Sequence, residues 1–244
     1  MVSQTELIVP NPYWFPGRWV GGFSLLIAPL LLLGAEILRV QFNFFFPQQL
    51  AAFAQYPLLI QTAYSLFLAG TILLWPAILT LAHLIGRTKP AWATWGCTFV
   101  MLGLFARTFH YGINHLAFQL VKSQNLQQAT KAVAESYGAF HIVSVLSGTI
   151  LFGWIILAIG AYVSGTLSLF RSLSLGLMSA LMLGVLKGST PFSILATSGL
   201  CVALVPLGFV VLKTGPAPEW RATLFWTGLL IGLLALLYFL GQAG

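Results

Sequence analysis

The residues best equipped for chemistry lie in one run, Arg107-Thr108-Phe109-His110-Tyr111-Gly112-Ile113-Asn114-His115, in the middle of a long apolar stretch. On a helix Arg107, His110 and Asn114 fall at i, i+3 and i+7 and share one stripe. Tyr111 and His115 form an i, i+4 pair on the next. An imidazole takes up and returns protons near neutrality, with a pKa that its surroundings set. A neighbouring arginine can hold an anionic group or a developing oxyanion. Such groups are costly at membrane depth and there face a protein interior or a wet cavity.

Three other places repeat the pattern. Glu36, Arg39 and Asn43 again stand at i, i+3 and i+7. Gln61 and Tyr64 open a second apolar stretch. Glu135, Tyr137 and His141 open another, where Tyr137, His141, Ser144 and Gly148 would line one small, polar helix face.

The elements that carry these residues follow from composition. Of 244 residues 59% are hydrophobic and only 6% charged, whereas a soluble domain has about 25% charged residues. The apolar runs reach the roughly 20 residues a helix needs to cross the hydrocarbon core, without the short alternating segments of a barrel. The chain reads as an all-α, polytopic integral membrane protein, a helical bundle of about seven transmembrane helices. Residues 1–17 form a proline- and aromatic-rich interfacial segment, lacking the basic-then-apolar pattern of a cleaved signal. Residues 18–244 form a single seven-helix domain, with spans near 18–45, 58–85, 91–121, 132–163, 169–186, 192–212 and 223–240. The aromatic link after the first span is expected to lie in the interface or to fold back over the site.

Charge sets the orientation. Eleven basic residues outnumber four acidic ones, giving a net charge of +7. They are scattered singly near helix ends, which fits topology and lipid headgroups and excludes a nucleic-acid partner. Arg18, Arg87, Lys89, Arg171, Lys213 and Arg221 fall on one side of a seven-span chain, and Lys122, Lys131 and Lys187 on the other. The N-terminus is therefore expected to be cytoplasmic and the C-terminus extracytoplasmic.

In that topology the polar residues of the first four spans all occupy the extracytoplasmic half. His110 and His141 each stand about ten residues from a loop, so both lie ~15 Å from that boundary. The leading expectation is a membrane-embedded enzyme acting on a lipid-like or amphiphilic substrate by acid–base chemistry. His110, His141, Glu36 and Arg107 would carry the reaction. Arg39, Asn114, His115, Glu135, Tyr137, Tyr111, Asn43, Tyr64 and Gln61 would bind the substrate.

A second reading is a metal ion or haem held by His110, His141, His115, Glu36 or Glu135. No His-Glu-x-x-His or Cys-x-x-Cys-His motif supports it. A third is a small-molecule binding or transport protein, or a subunit of a larger membrane complex. A plainer reading pairs Glu36 and Arg39 with Arg107 and Glu135 across helices and makes Asn114 and Gln61 interhelical hydrogen bonders. The chain has no Asp, which removes Asp-rich metal–diphosphate chemistry. The last span has no lysine for a retinal Schiff base, and no Gly-x-Ser-x-Gly occurs. Cys97 and Cys201 read as buried thiols.

Overall fold

The computed structural model describes residues 14–136, 142–181, 183–214 and 219–242. All of its regular structure is helical among the described residues. In chain order the helices are α1 (Arg18–Arg39), α2 (Phe46–Gln55), α3 (Pro57–Gly86), α4 (Pro90–Ser123), α5 (Leu126–Ser136), α6 (Ile142–Val163), α7 (Leu169–Gly176), α8 (Pro191–Lys213) and α9 (Trp220–Gln242). A 3₁₀ turn, Leu177–Ala180, follows α7. Five helical segments are long and apolar enough to cross a membrane: Arg18–Arg39, Pro57–Gly86, Val145–Val163, Pro191–Lys213 and Trp220–Gly241. At 34 residues α4 is longer than any of these, but Arg107, His110, Asn114 and His115 dilute its apolar character.

The chain divides into two compact units, Met1–Leu212 and Lys213–Gly244. In the second, α9 is long and apolar enough to cross a membrane. In the first, helices approach through small residues. A Cβ on Gly96 or Gly103 of α4 would meet Leu157 or Ile150 of α6 at 3.0 Å or less. From the other side, a Cβ on Gly153 would meet Val100 N at 2.6 Å. Along α1, Gly21 sits against Thr80 and Gly22 against Leu212, so α3 and α8 both run beside it. Such close approach lets dispersion hold helices together where lipid provides no hydrophobic drive. Gly148, expected on a packing face, is exposed and would meet nothing.

Two expectations are corrected. The first helix ends at Arg39, so Asn43 lies in the turn before α2 and leaves the Glu36–Arg39 stripe. Pro47 near the start of α2 restarts the helix on a new axis. The aromatic link is α2 itself, which buries Gln49, Leu50 and Phe53. Of the expected 132–163 span, Glu135 lies on α5 and the later part is α6, while residues 137–141 lie outside the described residues. Lastly, the 169–186 span is not one continuous helix. After Ala180 the chain leaves helical geometry, with Gly184 at φ +151° and Leu186 at φ +50°. Residues 183–190 are irregular yet largely buried.

That stretch is placed at both ends. Near α7, Arg171 donates to Ala203 O of α8, and Gly199 of α8 lies against Ser174 O. Beyond the break, Gly188 N donates to Phe44 O, 2.8 Å, in the turn between α1 and α2. The stretch therefore runs alongside α8 from one end of the unit towards the other, helical first and unwound afterwards.

Candidate functional site

An unwound backbone within an apolar bundle leaves N–H and C=O groups that must find partners. Here α1, α3 and α4 supply them. Arg107 Nη2 donates to Leu181 O at 2.8 Å, and Leu186 N donates to Asn114 Oδ1 at 2.7 Å. Arg39 Nη1 donates to Lys187 O at 3.2 Å. The Tyr64 hydroxyl lies 3.2 Å from the same carbonyl and 3.1 Å from Gln49 Oε1, with one proton between them. Gln49 Nε2 in turn donates to Asn43 O. Asn114 thereby holds Leu186, a fully buried residue, in the left-handed region that bulky side chains avoid.

Between these side chains and the unwound segment lies a cavity of about 40 Å³. It is lined by Glu36, Arg39, Arg107 and His110, and also by Tyr64, Phe67, Tyr111, Asn114 and the 183–188 backbone. Its volume is about three times what one water needs. Glu36, Arg39, Arg107 and His110 are each no more than 8% exposed. Arg39 Nη2 donates to Glu36 Oε1 at 2.6 Å, an i, i+3 pair that α1 itself builds. Phe67 sits between the cations, its ring centroid 5.0 Å from the Arg39 guanidinium and 5.7 Å from that of Arg107. Its π face offsets part of their desolvation.

Two features give the cavity chemical character. Arg39, Arg107 and Lys187 line it against the single carboxylate of Glu36, so it is electropositive and suited to an anion. The second oxygen of that carboxylate, Glu36 Oε2, is buried and accepts no hydrogen bond from any described residue. A buried carboxylate oxygen is stable only with donors around it. A ligand that satisfies this site thus brings an acidic group and a hydrogen-bond donor together.

Among the sequence-predicted residues, the cavity gathers Glu36, Arg39, Tyr64, Arg107, His110, Tyr111 and Asn114. Tyr111 reaches it from the next stripe of α4, with its hydroxyl 3.3 Å from Ser65 Oγ. Gln61 and His115 are exposed and do not line it. Asn43 contributes only its backbone carbonyl, to Gln49. Glu135 is exposed and paired with Lys131 at 3.8 Å, far from Arg107 in partner and in environment. Tyr137 and His141 lie outside the described residues. Gln49, Phe67, Lys187 and the unwound backbone were not anticipated as site elements. For Gln49 a signal existed, since Gln49, Leu50 and Phe53 fall on one face of a short helix.

Among the described residues no group of three or more His, Cys, Asp or Glu side chains gathers as metal ligands would. With His115 and Glu135 at the surface, the metal or haem reading loses two of its five donors. Of the remaining donors, His141 lies outside the described residues, and the two in the cavity, the Glu36 carboxylate and the His110 imidazole, stand among cations.

No family model, curated protein or solved structure matches the chain.

Proposed function

We propose that this is a membrane-embedded enzyme that draws the anionic headgroup of a lipid-like or amphiphilic substrate into the cavity between α1, α3 and α4. Glu36 Oε2 carries the reading: it is a buried acceptor that no described residue bonds, in a cavity whose other charges are cations. Arg39 and Arg107 hold the anion, while Glu36 and His110 exchange a proton with the group beside it. A cavity of about 40 Å³ takes in a headgroup and leaves the rest of the molecule outside.

In the same proposal the protein crosses the membrane seven times, and the fifth crossing is broken, with α7 as its helical part and 183–190 as its unwound part. That topology keeps the N-terminus cytoplasmic and the C-terminus and cavity extracytoplasmic. Unwound segments at membrane depth occur where they line a cavity, and they often build ligand sites.

The test is turnover of a total lipid extract by protein in nanodiscs, followed by mass spectrometry. A lipid species should be consumed by the native chain and not by His110→Gln or Glu36→Gln. Glu36→Gln should still bind inorganic phosphate, because it removes the only negative charge among the described residues that line the cavity. Equal consumption of lipid by all three proteins would defeat the catalytic assignment. One observation favours a second reading, a binding protein without turnover: Arg39, Tyr64, Arg107 and Asn114 already hold the backbone of 181–187. In that case phosphate binds and no species is consumed.

A further inference from the structure

Next to the polar cavity lies a second, larger one of about 550 Å³, bordered by Phe45, Phe46 and Pro47 at the start of α2, Val133 and Ala134 of α5, and Val185. Its lining is mostly apolar, with Gln48 and Lys187 as the polar members, and its size falls within the roughly 300–1,000 Å³ of sites that enclose small ligands. Lys187 lines both cavities. Its carbonyl accepts from Arg39 and Tyr64 on the polar side. On the apolar side its ammonium stands 5.2 Å from the Phe44 ring centroid and 5.9 Å from that of Phe45. One residue of the unwound segment therefore forms the wall between an anion-attracting chamber and an apolar one, with a cation at the boundary.

We propose that the apolar cavity receives the hydrocarbon tail of the same amphiphile whose headgroup enters the polar cavity, and that Lys187 stands at the neck beside the first polar atoms of the ligand. The proposal rests on the headgroup reading above and adds the ligand class: a single-chain or single-branch amphiphile with a small acidic head. Three observations select this occupant. The two chambers share Lys187, so a ligand in one abuts the other. The neck is cationic, which complements an acidic head and not a neutral one. The larger chamber is bordered by Phe45, Phe46, Val133 and Val185, side chains that suit a hydrocarbon tail.

The experiment compares ethyl phosphate with dodecyl phosphate by calorimetry, using the full chain purified in one detergent, beside Ala134→Trp and Lys187→Met. Ala134 is exposed on α5, so an indole there fills the apolar chamber without disturbing the core. Partition into the micelle is common to all three proteins, so the ratios between them report the chamber. For the native chain dodecyl phosphate should bind at least about tenfold more tightly than ethyl phosphate, since its longer chain takes more methylenes out of water. Ala134→Trp should remove most of that gain and leave ethyl phosphate unchanged. Lys187→Met should weaken both by a similar factor. If the native chain and Ala134→Trp share one chain-length dependence, the tail site is wrong while the headgroup cavity stands. If neither phosphate binds the native chain, the headgroup reading itself falls and the tail site goes with it.

Discussion

The two halves of α4 present one continuous stripe, Gly96, Gly103, Arg107, His110 and Asn114, but they solve different problems with it. The first half meets α6, whose backbone is already hydrogen-bonded within its own helix. Closeness alone is needed there, and glycine provides it: Gly96 and Gly103 on α4 face Leu157 and Ile150, while Gly153 and Gly160 on α6 face Val100 and Trp92. The second half meets the unwound 183–190 segment, whose peptide groups have no helical partners. Closeness would not suffice, and the same stripe changes to side chains that donate and accept. Within four residues, from Gly103 to Arg107, α4 passes from packing a helix to completing one. The cavity exists because the second mode leaves gaps that the first does not.

The largest expected effect breaks the first mode. Gly153→Val places methyl groups where a bare Cβ would already lie 2.6 Å from Val100 N and 2.8 Å from Phe99 C. Backbone atoms cannot rotate aside, so overpacking should cost about 3 kcal/mol or more. The expected outcome is loss of a monodisperse peak in size-exclusion chromatography and no cooperative thermal transition. Survival of the native transition would mean that α4 and α6 are not so closely apposed.

A smaller and local effect should follow in the second mode. Asn114→Leu leaves the buried Leu186 amide without its acceptor, a penalty of about 1–3 kcal/mol. Hydrogen exchange around 183–188 should accelerate by tenfold or more, whereas the amides of the α4–α6 seam should keep their native rates. Uniform acceleration across both halves would erase the distinction between them. Smaller again is Gly188→Ala. Its Cβ would meet Gln49 Nε2 at 2.6 Å, which can move, and Phe44 Cα at 2.9 Å, which cannot. We expect a loss of about 1–2 kcal/mol, read as a lowered melting temperature with exchange again raised only near 183–188.

The contrast between the halves also marks what the sequence could disclose. Long apolar runs bounded by Pro and Gly placed α3, α4, α8 and α9 within a few residues of their observed ends, because helix length and hydropathy are local properties. The Glu36–Arg39 pair and the Arg107–His110–Asn114 stripe were legible for the same reason: helical spacing alone aligns them. The broken stretch after α7 was not. An apolar run has the same composition whether it is a helix or a buried irregular chain, and what tips it is tertiary: polar side chains on α1, α3 and α4 that hydrogen-bond its backbone. Gly184, Gly188 and Pro191 hinted at the break, yet only as a loop following a helix. Asn43 was misplaced because a stripe has meaning only while the helix continues, and α1 stops four residues earlier. Glu135 was misplaced because equal and opposite charges in two spans invite pairing, whereas a nearer Lys131 on its own helix meets that need at the surface.

The smallest expected effect separates the two carboxylates that the sequence had put on one footing. Glu135 is exposed and faces Lys131 across one helical turn, a contact that contributes about 0.3–0.5 kcal/mol at most. Glu135→Gln should therefore leave the melting temperature, phosphate binding and lipid consumption unchanged within error. Glu36→Gln should act differently, since its carboxylate is buried against Arg39, lines the cavity and leaves its second oxygen without a hydrogen bond from any described residue. The amide can still accept from Arg39, so folding should persist, and removal of the negative charge should tighten phosphate binding while consumption of lipid stops. Binding and turnover then move in opposite directions in one variant and in neither direction in the other. If Glu135→Gln instead reproduced the effect of Glu36→Gln, the charge of α5 would have to reach the cavity, and the surface pairing with Lys131 could not be its resting arrangement.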